Sequence, residues 1–425
     1  MNFIIYTLGC KVNTYESNVM VETLTKSGFK EVHDLSEASI AIVNTCTVTN
    51  TADNKSLKLL RQIRRENKNV ILVAVGCLVQ VNEKSLKEKA DVDILIGNIG
   101  KSKIDVIIKE YLDNKLKISS IKNIMNVPFE DMKLNNFDKT RAFVKIQDGC
   151  NNYCSYCIIP YSRGSVRSKK KEIIFEEIKE LIKNGHEEIV LTGIHTGHYG
   201  SEFKDYKFSD LLNDILKING LKRLRISSIE IVELDDKFLE ILKNNKILVD
   251  HLHIPLQSGS NEILKLMNRR YDLNFFETKI AKIREIRPEI AISTDVIVGF
   301  PGETEELFKE TIETVKRIKF SKIHVFPYSR RKGTKADLME NQIDESIKKE
   351  RSRILVGVSK ELEIEYMNKY LNREVEFIPE TYKNGFIYGH TGNYLNIKMF
   401  GNEKDLKKSK TTKIVKIEYP YCIGE

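Results

Sequence analysis

The chain has 425 residues, of which 41% are hydrophobic and 30% charged, a balance typical of a globular protein with about two or three domains. No apolar run approaches the roughly twenty residues of a transmembrane helix, and residues 1–10 lack a secretory signal, so we expect a cytoplasmic protein without a membrane span. The formal net charge of +9 is compatible with an acidic partner such as RNA but does not establish one.

The first hundred residues alternate short apolar runs with helical patterns. This alternation predicts an α/β domain over residues 1–112, with a parallel sheet covered by helices on both faces. The predicted strands are Phe3–Thr7, Ile40–Asn44, Val70–Val75 and Val92–Ile96. The predicted helices are Glu16–Ser27, Ala52–Glu66 and Glu83–Lys89. Residues 113–139 are polar, and we expect an irregular linker there.

A second alternating series predicts an incomplete (β/α)6 barrel over residues 140–365. Active sites of such barrels lie at the C-terminal ends of the strands. The predicted strands are Ala142–Ile146, Glu188–Leu191, Arg223–Ile226, His251–Ile254, Ala291–Val298 and Lys322–Pro327. A long helix is predicted at Asp344–Tyr370.

The pattern of predicted elements changes over residues 366–425, where short strands follow one another without helices between them. The pattern predicts a small all-β barrel. Its predicted strands are Glu374–Pro379, Gly385–Thr391, Tyr394–Met399 and Thr412–Tyr419.

Seven cysteines are present. An odd number in a long chain without a secretory signal argues against a disulfide framework and favours metal binding or redox chemistry. Six of them form two groups of three, and Cys422 is expected to be an unligated thiol in the terminal barrel.

The first group is a C-x3-C-x2-C loop directly after the first barrel strand, formed by Cys150, Cys154 and Cys157. A 4Fe–4S cluster normally has four thiolate ligands, so three leave one iron open to the amino and carboxylate groups of S-adenosylmethionine. A structural zinc site is the alternative, but it requires a fourth ligand and no adjacent Cys or His supplies one. We therefore predict a catalytic 4Fe–4S cluster on this loop.

The second group consists of Cys10, Cys46 and Cys77, each in the loop after a predicted strand of the N-terminal sheet. Such loops lie along one edge of a parallel sheet, the usual ligand crevice. Three free buried thiols are the alternative, since cysteine also serves as a small apolar residue. The equivalent positions of the three favour a second 4Fe–4S cluster.

The C-x3-C-x2-C loop resembles that of radical S-adenosylmethionine enzymes. Segments at the ends of three barrel strands resemble the cofactor-binding segments of that superfamily, at 191–197, 225–230 and 295–303. The resemblance implies S-adenosylmethionine contacts by Gly193, Ser228, Glu230 and Gly299. Each glycine alone could equally mark an ordinary turn at a strand end.

Nearly the whole chain resembles the methylthiotransferases, on the motifs at 7–17, 44–49, 225–230 and 253–260. The resemblance implies an N-terminal three-cysteine domain, a radical S-adenosylmethionine barrel and a terminal RNA-binding barrel of the TRAM type. The variants at 11–13 and 47–49 are most similar to the subgroup that acts on N6-threonylcarbamoyladenosine at position 37 of tRNA. Two departures, Ile231 in place of proline and Lys169 in place of arginine, are expected to affect substrate fit.

The resemblance also implies the mechanism. A 5′-deoxyadenosyl radical removes hydrogen from C2 of the adenine, and a methylated sulfur held at the N-terminal cluster is transferred there. A second S-adenosylmethionine supplies the methyl group. The expected partners are the tRNA anticodon stem-loop, an electron donor such as flavodoxin or ferredoxin, and a sulfur donor.

Two basic runs are predicted to contact RNA, helped by aromatic side chains of the terminal barrel. The first run is Arg163, Arg167, Lys169, Lys170 and Lys171. The second is Lys404, Lys407, Lys408, Lys410, Lys413 and Lys416. The aromatic candidates are Tyr388, Tyr394, Phe400 and Tyr419. A solvated charged face is the alternative for the second run.

Three other functions remain open at this point. The methylthiolated substrate could be isopentenyladenosine 37 of tRNA, or an aspartate of a ribosomal protein. The chain could also be an iron–sulfur RNA-binding sensor without catalysis, although such a sensor would not need glycine segments at the strand ends.

Overall fold

The computed structural model describes residues 1–425. Its N-terminal part is a six-stranded parallel sheet in the order β2-β1-β3-β4-β5-β6. The strands are β1 Asn2–Thr7, β2 Lys30–Glu31, β3 Ile40–Thr45, β4 Ile71–Gly76, β5 Ile94–Ile96 and β6 Ile118–Ser120. The helices are α1 Lys11–Lys26, α2 Asn50–Glu66, α3 Cys77–Val81, α4 Glu83–Lys89 and α5 Ile104–Asn114.

Both faces of this sheet are buried, which explains the continuous apolar runs of its central strands. Along β3, Ile40 and Ile42 pack with residues of α1 and α5, whereas Ala41 and Val43 pack with residues of α2. The alternation follows from the two-residue period of a strand. The predicted parallel α/β architecture is therefore confirmed.

The prediction of irregular structure throughout residues 113–139 is wrong at residues 113–114, which end α5, and at β6, which pairs in parallel with β5. This strand has three partly or fully exposed residues, Ile118–Ser120, and lies at the edge of the sheet. So short and polar an edge strand leaves no hydrophobic pattern in the sequence. The remainder, residues 121–139, contains no helix or strand.

The central part contains the six predicted parallel strands as two three-stranded sheets, β11-β10-β7 and β12-β13-β14. An isolated bridge between Leu224 and Leu248 connects the two sheets. The strands are β7 Arg141–Lys145, β10 Glu188–Thr192, β11 Arg223–Ile226, β12 His251–His253, β13 Ala291–Val298 and β14 Lys322–Pro327. A short antiparallel pair, β8 Gln147–Asp148 and β9 Arg167–Ser168, encloses the first cysteine loop.

Helices separate the strands of this incomplete barrel. They are α6 Ile159–Arg163, α7 Lys171–Lys183, α8 Phe208–Ile215, α9 Asp236–Asn244, α10 Asn261–Leu266, α11 Leu273–Ile286, α12 Glu305–Ile318 and α13 Glu345–Asn368. The apolar core of the barrel includes Tyr15 and Val19 of α1, so the N-terminal domain and the barrel share one core. No helix of the chain combines the length and the apolar content that crossing a bilayer requires.

The C-terminal part is a closed five-stranded barrel in the order β15-β16-β17-β19-β18. The strands are β15 Glu374–Lys383, β16 Phe386–Thr391, β17 Asn396–Phe400, β18 Lys410–Glu418 and β19 Tyr421–Gly424. The fifth strand, β19, was not predicted, because it has only four residues and follows β18 almost immediately. Cys422 lies buried in the core of this barrel, as expected for an unligated thiol.

The small barrel closes one end of the large one. Arg141 and Arg223, the first residues of β7 and β11, contact Glu380 and Glu376 of β15. The contacts lie at the N-terminal ends of the large barrel's strands. The opposite end, where the cysteine loop lies, is therefore left for the functional site.

Candidate active site: two cysteine triads

The barrel triad lies in a tight loop between β8 and α6. Gly149 has a φ of +74°, and a Cβ there would collide with the Ser165 carbonyl, so only glycine fits before Cys150. The Cys150 N–H donates to the Gly164 carbonyl at 3.0 Å, and the Cys157 N–H to the Cys154 carbonyl at 2.9 Å. These bonds fold the loop so that three partly exposed thiols face one another.

The thiols of this loop are close enough to disfavour one another's ionisation. Burial, with the neighbouring thiolates of Cys154 and Cys150, raises the pKa of Cys157 to about 12. Bound metal reverses this preference, because it deprotonates its thiol ligands. Three converging thiols without a fourth cysteine fit a 4Fe–4S cluster that keeps one iron open.

Charged side chains from other segments of the barrel surround this triad. Arg269 donates from Nη1 to Cys154 Sγ at 3.2 Å, and its Nη2 lies 2.8 Å from Glu230 Oε1. His195 Nδ1 lies 3.7 Å from Cys150 Sγ, and the other ring nitrogen faces Glu233. Although burial lowers the pKa of His195, its bonds to Cys150 and Glu233 raise it to about 10.

Sequence reasoning missed Arg269, His195 and Glu233 as neighbours of the thiols. His195 lies within the segment at 191–197 that was singled out, and its proximity to the loop could have been inferred from that position. Arg269 follows the short helix α10 and carries no local motif, so only the fold brings it to Cys154.

All four residues predicted to bind S-adenosylmethionine lie at or just after the C-terminal ends of strands. Gly193 follows β10 and approaches the cluster loop, since a Cβ there would lie 2.9 Å from Gln147 Oε1. Ser228 follows β11 and is partly exposed, as is Glu230 beyond it. Their cofactor contacts stay predictions.

Gly299 follows β13 and has a structural requirement of its own. Its φ is +71°, and a Cβ there would collide with the side chain of Lys348 on α13. Its N–H donates to Glu303 Oε1 at 2.7 Å. Packing of α13 therefore requires glycine here, whatever contact this residue makes with a cofactor.

The N-terminal triad lies at the C-terminal edge of the first sheet. Cys10 is the N-cap of α1, Cys46 follows β3, and Cys77 opens α3 directly after β4. Gly9 has a φ of +97°, and a Cβ there would lie 2.8 Å from Cys46 Sγ. A glycine before the first cysteine therefore lets the first two loops touch, and the structure brings together the three cysteines that the sequence grouped.

The thiols of this triad also interact. Burial, with the neighbouring thiolates of Cys77 and Cys10, raises the pKa of Cys46 to about 11. Arg163 donates from Nε to Cys77 Sγ at 3.2 Å, and Asn98 donates to the same sulfur at 3.6 Å. Again three thiols converge without a fourth, and a cationic donor is present to stabilise thiolate charge.

A buried ion network connects the two triads. Arg163, at the end of the helix that follows Cys157, contacts Glu16 of α1 at 2.5 Å, and Lys101 contacts the same carboxylate at 2.5 Å. Lys145 of β7 lies 2.7 Å from Glu16 and 2.6 Å from Asp148. Arg163, Lys101 and Lys145 outweigh burial and hold the pKa of Glu16 well below its usual value.

The network carries more positive than negative charge. Its four cations, with Arg167 at 3.0 Å from Asp148, face only two carboxylates. An uncompensated buried charge is costly, so such a surplus favours negative groups beside it. Arg163 directs part of this surplus at the N-terminal triad, because its Nε donates to Cys77 Sγ at 3.2 Å.

The prediction that the first basic run contacts RNA is wrong for three of its five residues. Arg163, Arg167 and Lys169 are 0%, 5% and 1% exposed, and all three are held in ion pairs. Lys169 pairs with Glu177 and donates to the Tyr15 hydroxyl at 3.1 Å. It therefore joins the barrel to α1, and Ile231 is likewise a fully buried core residue, so the effect of these two departures on substrate fit stays a prediction.

The second basic run is largely exposed on the terminal barrel, although Lys410 pairs with Asp405. Of the aromatic candidates, Phe400 is 74% and Tyr419 41% exposed. Tyr394 points instead into the large barrel, with its ring 4.0 Å from the Arg225 guanidinium. Tyr394 thus lines a cavity between the two barrels and is only half-buried, so its stacking on RNA stays a prediction.

Comparison with known families and solved structures agrees with these two sites. Residues 144–315 match the Radical SAM superfamily, and residues 2–97 match the uncharacterized protein family UPF0004. The fold is similar to that of the radical S-adenosylmethionine methyltransferase TsrM from Kitasatospora setae, with cobalamin and a [4Fe-4S] cluster bound. The TM-score is 0.57 at 14% identity, over 78% of this chain and 75% of that one.

Two kinds of curated relative span nearly the whole chain. The threonylcarbamoyladenosine tRNA methylthiotransferase MtaB of Bacillus subtilis is 42% identical, over 99% of this chain and 95% of its own length. The protein of the same name from Thermotoga maritima is 38% identical, over 94% and 91%. A tRNA-2-methylthio-N(6)-dimethylallyladenosine synthase of Clostridium perfringens is 35% identical, over 100% and 97%. The chain therefore belongs to the radical S-adenosylmethionine methylthiotransferase family.

Proposed function

We propose that the chain adds a methylthio group to C2 of N6-threonylcarbamoyladenosine at position 37 of tRNA. The observation that carries this proposal is the pair of three-thiol sites at the C-terminal edges of two parallel sheets, joined by one buried ion network. The relative named for this reaction, at 42% identity over 99% of the chain, supports the choice of nucleoside.

Two 4Fe–4S clusters and S-adenosylmethionine are the cofactors of this activity. Cys150, Cys154 and Cys157 would hold one cluster, and Cys10, Cys46 and Cys77 the other. When bound, these groups supply radical chemistry able to replace an unactivated aromatic C–H, and the sulfur that is inserted. Acid–base chemistry is a poor route here, since that C–H has no acidic proton.

The chain's own residues position and neutralise these groups. Arg269 lies against Cys154 and holds Glu230 in place, so this carboxylate is a fixed acceptor beside the cluster loop. We propose that Glu230, Ser228, Gly193 and Gly299 contact S-adenosylmethionine at the strand ends. At the N-terminal triad, Arg163 lies against Cys77 as Arg269 lies against Cys154, and its positive charge would neutralise a thiolate there.

We assign three functional domains, residues 1–112, 140–365 and 366–425, joined by residues 113–139, which also add β6 to the first sheet. The exposed lysines of the terminal barrel would contact phosphates of the anticodon stem, and loop bases can be splayed out at low cost. A flavodoxin or ferredoxin would supply electrons, and a separate donor the sulfur. Six reduced thiols require a reducing compartment, so we place the reaction in the cytoplasm.

Nucleoside analysis of tRNA tests the proposal. Digests from a deletion strain should lack 2-methylthio-N6-threonylcarbamoyladenosine and accumulate its precursor, and the wild-type chain, but not Cys150→Ala, should restore the product. The isopentenyl-derived nucleoside should be unchanged. Loss of that nucleoside instead would assign the chain the substrate named for the Clostridium perfringens relative. No change in either nucleoside would contradict a tRNA substrate and favour a protein substrate.

A further inference from the structure

A cavity of about 270 Å³ lies inside the large barrel, above the small barrel that closes its end. Arg225 of β11, His251 of β12 and His324 of β14 line it, together with Lys11 from the N-terminal domain. Most of the lining comes from the starts of the strands and from the small barrel. Ser227, which directly precedes Ser228, and Lys11, which directly follows Cys10, extend the cavity toward the proposed cofactor segment and the N-terminal domain.

The acidic groups around this cavity are already paired. Glu188 binds Arg225 at 2.6 Å, Glu363 binds Lys322 at 3.1 Å, and Asp295 lies 3.2 Å from His253. Glu380, below the cavity, binds Arg141 and His390. Lys11 has no carboxylate within ion-pair distance, so it contributes an uncompensated positive charge.

Two deeply buried side-chain nitrogens at the cavity also lack a partner. Arg225 is 1% exposed and His251 6% exposed, yet Arg225 Nη1 and His251 Nδ1 make no hydrogen bond. Burying an unsatisfied polar group costs about 1–3 kcal/mol, so such a group in a native structure requires a partner such as a water, an ion or a ligand. The Arg225 Nη1 donor therefore needs an acceptor inside the cavity, and His251 Nδ1 lies free beside it.

The electrostatic field in the cavity is positive. Burial and the charge of Arg225, followed by the charges of His253 and Lys11, hold the pKa of His251 well below its usual value. Burial and His253 lower the pKa of His324, and Lys322 and Lys11 act in the same direction against Asp295. An anion is therefore the ligand that this cavity stabilises best.

The cavity opens toward solvent along β14. His324 is exposed, and Phe326, on the same face of the strand two residues further on, is 44% exposed. An exposed aromatic ring at the entrance of a polar cavity suits a nucleobase that stacks outside while its substituent enters.

We propose that this cavity binds the carboxylate of the threonylcarbamoyl group and that Lys11 is a specificity-determining residue. The inference rests on the proposed function and names the part of the nucleoside that the enzyme recognises. A threonylcarbamoyl group presents a carboxylate to Lys11, Arg225 and His251. An isopentenyl group would leave the Lys11 ammonium and Arg225 Nη1 without an acceptor, which gives strong discrimination.

The test compares three synthetic anticodon stem-loops that differ only at position 37. One carries N6-threonylcarbamoyladenosine, the second its methyl ester, and the third unmodified adenosine. Binding to the reconstituted full-length protein is measured by fluorescence anisotropy. The wild-type protein should bind the acid at least about tenfold more tightly than the ester, since a charge-assisted hydrogen bond is lost.

Variants of α1 assign this preference to Lys11. Lys11→Gln should lose most of the difference between acid and ester, while Lys11→Arg should keep most of it. Lys26→Gln, at the exposed far end of the same helix, should behave as wild type. Equal binding of acid and ester by the wild-type protein would overturn the inference, and so would a preference of wild-type size in Lys11→Gln. The acid–ester comparison in the wild type needs no variant and so does not depend on how Lys11→Gln folds.

Single-turnover product formation separates this inference from the proposed function. If the wild-type enzyme methylthiolates acid and ester at equal rates, the inference fails and the proposed function stands. If it methylthiolates neither stem-loop, the proposed function fails, and the inference with it.

Discussion

The two cysteine triads hold the same number of thiols but are built in opposite ways. The barrel triad lies within residues 150–157, in one loop folded by its own backbone bonds. The N-terminal triad comes from three loops, at residues 10, 46 and 77, that only a correctly formed sheet brings together. The first site is thus encoded locally, and the second depends on the fold.

The charged residues beside the two triads differ in origin as well. Arg269 and His195 adjoin the barrel triad, whose thiols are partly exposed and open to a small molecule. The N-terminal triad rests on Arg163, which belongs to the other domain. The N-terminal triad is therefore an interdomain site, and changes within the barrel should damage this triad selectively.

The largest effect should follow from removing the barrel triad. The triple variant Cys150→Ala, Cys154→Ala and Cys157→Ala should lose all formation of 5′-deoxyadenosine, because the strand-end residues that we propose to bind S-adenosylmethionine belong to the barrel that holds this triad. Its iron content should fall from about eight to about four per chain. Iron analysis and chromatography of the reaction measure both, and S-adenosylmethionine cleavage by this variant would refute the assignment.

Removing Arg163 should damage the distant triad. Arg163→Gln leaves Cys77 without its guanidinium donor and Glu16 with two of its three cationic partners. Breaking such a buried network costs about 3–5 kcal/mol of unfolding free energy, and we expect partial loss of the N-terminal cluster. Chemical denaturation and iron analysis measure these effects. Arg65→Gln, an exposed arginine of α2, is the control, and equal stability of the two variants would contradict the account.

The terminal barrel should contribute to tRNA affinity without affecting either cluster. Changing the exposed Lys404, Lys407 and Lys408 to Gln removes up to three phosphate contacts. The slope of log affinity against log salt should therefore fall by up to about three. Filter binding of tRNA across a salt series measures it. An unchanged slope, or an equal fall when Lys179, Lys183 and Lys217 are changed, would exclude this surface.

The smallest effect concerns the joint between the two barrels. Although burial opposes it, His390 and Arg141 lower the pKa of Glu380 below its ordinary value of 4.5. A depressed pKa in the folded state stabilises the protein above pH 4.5, and this contribution is lost as the pH falls below that value. Glu380→Gln should therefore lower the melting temperature slightly at pH 7 and flatten its decline below pH 4.5. A parallel decline in the two proteins would show that this carboxylate does not stabilise the joint.

Local patterns gave most of the architecture. The strands at Arg223–Ile226, Ala291–Val298 and Lys322–Pro327 match their predicted bounds, since each is an apolar or alternating run between turn residues. The barrel triad was predictable from its spacing, and the N-terminal triad from the rule that parallel strands share an edge.

What the sequence did not reveal depends on distant contacts. Arg163 and Glu16 lie 147 positions apart, so their pairing leaves no periodic pattern in the sequence. A run of Lys and Arg residues is instead predicted to be exposed. Tyr394 turned inward because Arg225 lies beneath it. The cavity that Lys11 lines combines residues from three domains, and no single segment indicates it.

We assign S-adenosylmethionine cleavage to the barrel triad and sulfur transfer to the N-terminal triad. The variant Cys10→Ala, Cys46→Ala and Cys77→Ala tests this assignment most directly. Iron, 5′-deoxyadenosine and methylthiolated nucleoside are measured in one reaction with an anticodon stem-loop carrying N6-threonylcarbamoyladenosine. We expect about four irons per chain, continued formation of 5′-deoxyadenosine, and no methylthiolated product. Methylthiolated product at the wild-type rate would contradict this assignment, because the N-terminal triad would then have no part in sulfur transfer.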